Sequence, residues 1–357
     1  MYIRAVHLKE FIKTTLALLF LAVFLLFPEP CTRAAKDGLN IAMYLVLPSL
    51  FPFAVVSGYL SGRLKTHPFF ASFFCRITGL PQSMCPIFLL GILSGFPIGA
   101  VLLADGVKSS AFSADCAGHA LPLCTVCGPI FIIGVIGGGM LGSFRTGYIL
   151  YAVQIFSLFL LCLLSKKFAP HVSASRTTIL PKRTLVSVIE KAVPSTLAVC
   201  GFILFFRVVC EMLRVTYLAE NLFPYPPFLY GLLEISGGCN LIALSDIPIQ
   251  LKCALLAFLC SFSGICVLLQ VASAIRDTNI SLKKYLLFKF MHALLSFGTT
   301  YLVLLCLPVE TVSVNTFHSD SFSFSALFLL WCYLLFALSV LFIFIRNKII
   351  GHTFYKR

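Results

Sequence analysis

The stretch "GILSGFPIGAVLLADG" (residues 91–106) lies among strongly apolar segments, yet it contains four glycines, one proline and one aspartate. Glycine weakens a helix by about 0.5–1 kcal/mol relative to alanine, and proline removes a backbone donor and breaks the helix. Broken backbone is tolerated at membrane depth only where protein buries it or where it lines a watery cavity. The stretch therefore predicts an interrupted segment beside a binding site, not a straight membrane span.

The composition predicts an all-α polytopic membrane protein. Of the 357 residues, 59% are hydrophobic and 11% are charged, whereas a soluble domain has about 45–50% apolar and about 25% charged residues. The formal net charge is +14, but Lys and Arg lie between apolar segments, where they set the topology. The sequence contains no nucleic-acid-binding motif, so the predicted surroundings are the lipid bilayer and no nucleic acid.

A second interrupted segment, residues 227–246, resembles the first and belongs to an internal repeat. "LPSLFPFAVVSGYL" (47–60) parallels "VPSTLAVCGFILFF" (193–206), and "CTVCGPIFIIG" (124–134) parallels "CSFSGICVLLQ" (260–270). In all, four such pairs occur in the same order in the two halves, at offsets of about 136 to 146 residues. The order predicts a duplicated unit.

Basic residues predict which loops face the cytoplasm. The loop at 308–323 contains two acidic residues and no Lys or Arg, so we expect it on the other side. The predicted cytoplasmic segments are the N-terminus, residues 63–76, 165–191 and 276–284, and the C-terminal tail. These assignments agree only if segments 86–105 and 227–246 are re-entrant hairpins that enter from opposite sides. The two units are then inverted. Arg207 fits least well, because it would lie near the far face.

At these segments the sequence resembles the nucleoside-recognition, or Gate, domain family, and within it the sporulation integral membrane protein branch. The motifs that carry the resemblance include "GILSGFPIGAVLLADG", "CGPIFIIGVIGGGMLG", "GLLEISGG" and "SFSGICVLLQVAS", within roughly residues 35–310. The resemblance implies an inverted-repeat transporter related to concentrative nucleoside transporters. For the sporulation branch it implies movement of dipicolinate across the outer forespore membrane. The chain departs from the branch at "LPLCTVCGP" (121–129) and at Gln154, where a histidine is expected.

The predicted organisation has five parts. They are an N-terminal transmembrane helix (1–34), a first Gate-type repeat (35–165), a basic cytoplasmic linker (166–191), a second, inverted Gate-type repeat (192–310), and a C-terminal transmembrane helix with a basic tail (311–357). A cleaved signal peptide ending near "TRAA" (32–35) is the alternative for the N-terminus. We favour a retained helix, because Pro28, Glu29 and Pro30 interrupt the approach to those small residues.

Glu234 is the first candidate site residue, because an ionisable group at bilayer depth costs about 2.5–3.5 kcal/mol on insertion scales. We expect it to bind a coupling cation or to take a proton. The alternative is a carboxylate held by neighbouring backbone N–H groups at the hairpin tip. Gln270 is expected to offer its amide to the substrate, or to form a hydrogen bond between helices.

The remaining candidates are positions where broken backbone would offer N–H donors to an anion or ion. They are Ser94, Gly95, Pro97 and Gly99 in the first hairpin, Cys127, Gly128 and Pro129 in the following break, Ser236, Gly237 and Gly238 in the second hairpin, and Ser263 and Gly264 in its matching break.

Other ionisable residues are expected to have structural roles. Lys289 is predicted to extend its ammonium to the cytoplasmic face, and His292 to bond a neighbouring helix. A cytoplasmic loop accounts for Asp115 and His119, and Asp105 is expected at a helix end or interface.

The sequence therefore predicts a secondary transporter that moves a small anionic solute, dipicolinate first, by alternating access. A nucleoside or nucleobase transporter and a non-transporting membrane scaffold are the alternatives. The sequence contains no catalytic motif that would indicate an enzyme. No cofactor or metal site is predicted, and the coupling ion stays open between proton, sodium and calcium. We expect an integral protein of the cell membrane or outer forespore membrane with both termini cytoplasmic, and a homo-oligomer stays open.

Overall fold

The computed structural model describes residues 2–170 and 180–306. All regular secondary structure in these two ranges is helical. Five helical stretches are long and apolar enough to cross a membrane, which supports an all-α polytopic membrane protein: Pro28–Ser61, Phe144–Phe168, Leu185–Val215, Ile249–Ala274 and Leu282–Cys306. The predicted C-terminal transmembrane helix and basic tail (311–357) and the acidic loop (308–323) lie outside the described residues.

The helices follow one another in a repeated order. They are α1 (Tyr2–Leu26), α2 (Pro28–Ile41), α3 (Leu47–Ser61), α4 (Pro68–Thr78), α5 (Cys85–Ser94), α6 (Ile98–Lys108), α7 (Ala114–Cys124), a π-helix (Ile130–Met140), α8 (Phe144–Ser165), α9 (Leu185–Val215), α10 (Leu218–Leu222), α11 (Pro226–Leu233), α12 (Ile235–Leu244), α13 (Ile249–Phe262), α14 (Gly264–Ala274) and α15 (Leu282–Cys306). From α3 to α8, and again from α9 to α15, a long helix and a shorter one precede two interrupted pairs and a final long helix. This order corresponds to the internal repeat of the sequence.

One helix, α2, runs across residue 34, where the sequence analysis places a division. Helix α2 extends through the stretch "TRAA" and packs against α9, where Cys31 contacts Val208 and Met212 in one apolar cluster. Gly38 lies against the backbone of Leu204 on the same helix. The small residues suggested as a cleavage site therefore lie inside a packed helix.

The basic loops come together at one end of the described helices, here called the basic end. Contacts at this end join residues in or beside three of the predicted cytoplasmic segments (63–76, 165–191 and 276–284) and the turn between α6 and α7. The contacts are Gly62 with Pro181, Gly79 with Ala169, Lys108 with Asp277 at 3.2 Å, and Gly118 with Ile280. Segments distant in sequence thus share one end, which is the grouping that their positive charge predicts.

Helices α5 and α6 form a hairpin whose two ends lie at the basic end. Pro86 in the first turn of α5 and Phe112 just after α6 line one cavity, together with Arg63 and Lys182. A pair of collinear helices would place these residues at opposite ends of a segment of about 40 Å. We call this pair the first hairpin.

Helices α11 and α12 form a second hairpin, rooted at the other end. The hydroxyl of Tyr225, before α11, donates to the hydroxyl of Ser245, after α12, at 2.8 Å. The two helices touch where a Cβ on Gly238 would lie only 2.0 Å from the Cα of Gly231. The 31 residues of α9 span about 46 Å and separate this root from the basic end.

Candidate functional site

The tips of the two hairpins meet at a cavity of about 140 Å³, here called the central cavity. Ser94–Phe96 contribute the first tip and Glu234–Ser236 contribute the second. Between them lies the break from Cys127 to Pro129, which separates α7 from the π-helix. Helices α9 and α14 close the cavity with apolar side chains and Gln270. Two hairpins from opposite ends thus share one site.

Most of the lining is apolar, and three phenylalanines contribute to it: Phe53, Phe96 and Phe131. The polar groups come from a few side chains, chiefly Glu234 and Gln270, and from three serines. Among the described lining residues none is Lys, Arg or His. A cavity of this kind suits a small flat molecule with few polar groups, because the apolar walls provide contact area and the few polar side chains of the lining fix the orientation of the molecule.

Glycine builds the first tip. Gly95 has φ 76° and ψ −176°, a region that is essentially restricted to glycine. Gly91 and Gly99, on the two helices of the hairpin, both lie against the carbonyl of Cys124 at the end of α7. A Cβ on Gly99 would lie 1.8 Å from that carbonyl oxygen. The glycines that interrupt the helix therefore also allow the hairpin to approach α7 closely.

A carboxylate builds the second tip. Glu234 ends α11 and begins α12, and its Oε1 accepts from the amide and the hydroxyl of Ser236 at 2.8 and 2.5 Å. Its Oε2 accepts from the amide of Gly237 at 2.8 Å. The Glu234 residue is only 1% exposed. The carboxylate is thus held by neighbouring backbone N–H groups, which the sequence analysis gave as the alternative to ion binding. The cause is that an acidic residue before a helix accepts from the free N–H groups of its first turn.

Arg207 supports the carboxylate from α9, with its Nη1 at 3.9 Å from Glu234 Oε2. The sequence gives Arg207 a position near the far face and no role. The signal that could have identified it is a single cation inside an apolar run, opposite a single acid in the hairpin.

Eight of the fourteen predicted site residues line the central cavity, and six do not. The lining set is Ser94, Gly95, Cys127, Gly128, Pro129, Glu234, Ser236 and Gln270. The six others are Pro97, Gly99, Gly237, Gly238, Ser263 and Gly264. Ser263 and Gly264 interrupt the helix between α13 and α14, with φ 81° and 70°. The structure therefore gathers the predicted breaks around one point, but many of the glycines serve packing.

A second cavity of about 200 Å³ lies between the central cavity and the basic end. Val199 and Gln270 line both cavities, and Pro97 and Lys191 line only the second. Lys191 also pairs with Asp105 of the first hairpin. This second cavity, here called the vestibule, therefore has a cation in its lining on the side of the basic end.

Two ionisable residues lie elsewhere than the sequence predicts. Lys289 does not extend to the cytoplasmic face: it is 1% exposed, and its Nζ donates to the carbonyl of Thr125 at 3.0 Å. His119 belongs to α7, not to a loop, and is fully buried. Both predictions are wrong for one reason: α15 packs into the interior between α7, α8 and α13. His292 contacts α8 as expected, with Nε2 3.3 Å from the carbonyl of Gln154.

No family model matches the chain, and no solved structure matches it either. The chain is similar to a curated protein, the sporulation integral membrane protein YlbJ of Bacillus subtilis (strain 168). The two are 25% identical over 330 residues, which cover 80% of this chain and 79% of the relative. The similarity supports the sporulation membrane branch, whereas nothing supports the wider Gate domain assignment. With the apolar helices, it indicates an integral membrane protein similar to a sporulation membrane protein.

Proposed function

We propose that the chain is a secondary transporter that moves a small solute by alternating access between its two hairpins. The observation that carries the proposal is that hairpins rooted at opposite ends meet at one cavity. Interrupted helices in matching halves, with a site between them, are typical of secondary transporters with inverted repeats. A movement of either hairpin relative to α9 would open the central cavity toward one end at a time.

In the membrane, this proposal gives both hairpins a re-entrant course and inverts the second repeat relative to the first. The basic end then faces the cytoplasm, together with both chain termini, because Lys and Arg are enriched in cytoplasmic loops. The vestibule beside Lys191 becomes the cytoplasmic approach to the central cavity. The similarity to a sporulation membrane protein favours the outer forespore membrane as the site of action, with the cell membrane as the alternative.

The substrate that we propose first is dipicolinate, a small aromatic dicarboxylate. The phenylalanine walls of the central cavity support binding of an aromatic ring. Its carboxylates need neutralisation, because burying a charge without a partner is costly. The lining of described residues offers only neutral donors and the carboxylate of Glu234, so the dianion would enter together with protons or a cation.

A nucleoside or nucleobase is the second candidate, and a specific observation favours it. Glu234 and Gln270 lie in one apolar cavity, where a carboxylate and an amide suit the donors and acceptors of an uncharged base or ribose. A non-transporting scaffold is the remaining alternative, and it needs no solute at all.

Purified protein in liposomes separates these alternatives. Labelled dipicolinate and labelled uridine are offered side by side, with and without excess unlabelled competitor. We expect saturable dipicolinate uptake, and a loss of most of it in Gln270→Leu, whereas Gly298→Ala retains it because nothing lies within 4 Å of a Cβ there. Uridine uptake that dipicolinate does not inhibit would identify a nucleoside, and not dipicolinate, as the substrate. Absence of uptake of every solute would favour the scaffold.

A further inference from the structure

Helix α15 carries a continuous stripe of buried polar side chains. Its members recur every three or four residues, which places them on one face of the helix. They are Tyr285, Lys289, His292, Ser296 and Thr300, each at most 1% exposed. A helix of a membrane protein normally turns such groups to water, and polar groups inside a bundle mark ion or substrate pathways.

Several of these side chains have no hydrogen-bond partner among the described residues. On α15 they are the Tyr285 hydroxyl, His292 Nδ1, the Ser296 hydroxyl and the Thr300 hydroxyl. The neighbouring helices add Gln154 Oε1 from α8, and the hydroxyls of Ser261 and Ser263 from the end of α13. Tyr285 faces Thr125 and Ser263 without a hydrogen bond of ordinary length to either. Buried polar atoms in native proteins are satisfied, commonly by ordered water, so the stripe offers hydrogen-bonding sites for a column of water along one face of α15.

Lys289 lies where this column meets the wall of the central cavity. Its ammonium donates to the carbonyl of Thr125, two residues before Cys127, which lines the cavity. The side-chain amide of Gln154 donates to the carbonyl of Cys127 at 2.9 Å, and the backbone carbonyl of Gln154 lies 3.3 Å from His292 Nε2. An ammonium has three donors, and one of them is used by this protein carbonyl. The free carbonyls at the end of α7 favour a positive charge, while burial disfavours it.

Glu234 is less suited to carry a proton in this conformation. Its two oxygens already accept from two backbone amides and a hydroxyl, and Arg207 lies 3.9 Å away. Protonation would cost one of those charge-assisted hydrogen bonds and leave Arg207 without its anion. Lys289 has no carboxylate among its described neighbours, and the groups beside it are the thiols of Cys127 and Cys260, so no permanent anion fixes its charge.

We propose that the buried face of α15 is a proton path and that Lys289 is its proton-carrying group, which makes the proton the coupling ion. The inference rests on the proposed transport function and deepens it. The step is balanced: the Lys289 ammonium gives one proton to the hydrated column on one side, becoming a neutral amine. It regains one proton from the other side in the alternate conformation.

The titratable groups around Lys289 come from α15 itself, from α7 and the break that follows it, and from α13. Thiols and histidines can modify its charge, but none of the described neighbours is a carboxylate that would hold the ammonium permanently. The groups are Tyr285 and His292 on α15, Cys127 after α7, Cys260 on α13, and His119 on α7, which contacts Phe288 edge-on at 5.9 Å.

Proteoliposomes that contain a pH-sensitive dye test the proposal with labelled dipicolinate and, separately, labelled uridine. Wild-type protein should show uptake stimulated by an inward proton gradient, together with internal acidification. In Lys289→Met we expect gradient-driven uptake to fall by about a hundredfold, while exchange of solute present on both sides continues. Lys283→Met is the matched control, because Lys283 is exposed at the start of the same helix.

Tyr285→Phe keeps the proposal falsifiable if Lys289→Met does not fold. It removes a single hydroxyl without a described partner, so a packing role predicts no loss, whereas a proton path predicts slower acidification with unchanged exchange. Two results would overturn the proton path without affecting the proposed transport function. One is wild-type uptake that does not depend on the proton gradient; the other is gradient-driven uptake at the wild-type rate in Lys289→Met or Tyr285→Phe. No uptake of either solute by the wild type would instead overturn the transport function, and the proton path with it.

Discussion

The two hairpins occupy matching places in the two halves of the chain, but different chemistry forms their tips. The first tip is neutral and depends on glycines that fit against the Cys124 carbonyl. The second tip depends on one carboxylate, Glu234, which begins the returning helix by accepting its free N–H groups. A steric solution and an electrostatic solution thus produce the same helix–break–helix element. The second tip therefore depends on one charged side chain, whereas the first depends on close backbone packing.

The hairpins also differ in their attachment to the rest of the protein. Asp105 at the end of the first hairpin binds Arg183 at 2.6 Å and pairs with Lys191. These cations belong to the segment before α9 and to α9 itself, so the ion pairs join the hairpin to the basic end. The second hairpin is closed at its root by Tyr225 with Ser245 at 2.8 Å. It is joined to its neighbours by Tyr230, which donates to Glu220 at 3.0 Å, and by Lys252, which donates to the carbonyl of Ala243 at 2.9 Å. The first hairpin therefore has a charged root, held by ion pairs, whereas the described contacts that hold the second hairpin near its root are hydrogen bonds.

The largest effect is expected at the first tip, from Gly99→Ala. Its Cβ would lie 1.8 Å from the backbone oxygen of Cys124, and no flexible side chain can move to make room. We expect a loss of about 3 kcal/mol or more, observed as a large fall in the apparent melting temperature in detergent. Gly201→Ala, on an exposed face of α9 with nothing within 4 Å, is the control and should gain about 0.5–1 kcal/mol. Equal behaviour of the two variants would refute the steric account of the first tip.

The second tip should respond next, in Glu234→Ala. The amides of Ser236 and Gly237 lose their acceptor, and Arg207 loses its anion, so we expect a loss of about 2–3 kcal/mol. Glu234→Gln should lose less, because the amide oxygen still caps one N–H group. Thermal unfolding in detergent measures both, with the exposed Glu190→Gln as control. A glutamine variant as unstable as the alanine variant would indicate that charge, not capping, forms the tip.

A smaller effect is expected at the charged root, in Asp105→Asn. Arg183 and Lys191 are 28% and 42% exposed, so water compensates part of the lost attraction. We expect a loss of about 1 kcal/mol in low salt, which shrinks as salt screens the pairs in the wild type. Melting temperatures at two salt concentrations test this, and a loss independent of salt would contradict an electrostatic attachment.

The smallest effect is expected at the root of the second hairpin, in Tyr225→Phe. The variant removes the hydroxyl that donates to Ser245 but keeps the ring, and Ser245 retains its bond to the carbonyl of Ile242 at 2.6 Å. We expect a loss of about 0.5–1 kcal/mol in thermal unfolding. A loss larger than that of Asp105→Asn would reverse the contrast between the two roots.

Much of the architecture could be predicted from the sequence, because local chemistry sets it. The apolar segments, the glycine- and proline-interrupted stretches and the breaks near Cys127 and Ser263 are properties of a few consecutive residues. The grouping of the basic loops also follows from their charge. Eight candidate residues line the central cavity, while glycines such as Gly99 and Gly238 lie at close packing contacts, and the binding role of all of them stays a prediction.

What only the tertiary structure decided is which side chain faces which partner. The sequence predicts that the Lys289 ammonium reaches the surface, since its helix begins beside basic residues. In the structure three neighbouring helices enclose it. Arg207 and Glu234 are 27 residues apart, and nothing in their local sequence pairs them. The sequence by itself determined where helices form and break, because those energies are local. The positions of the buried charges were decided by packing between distant segments, because a charge inside a membrane protein is tolerated only where the fold supplies its partner.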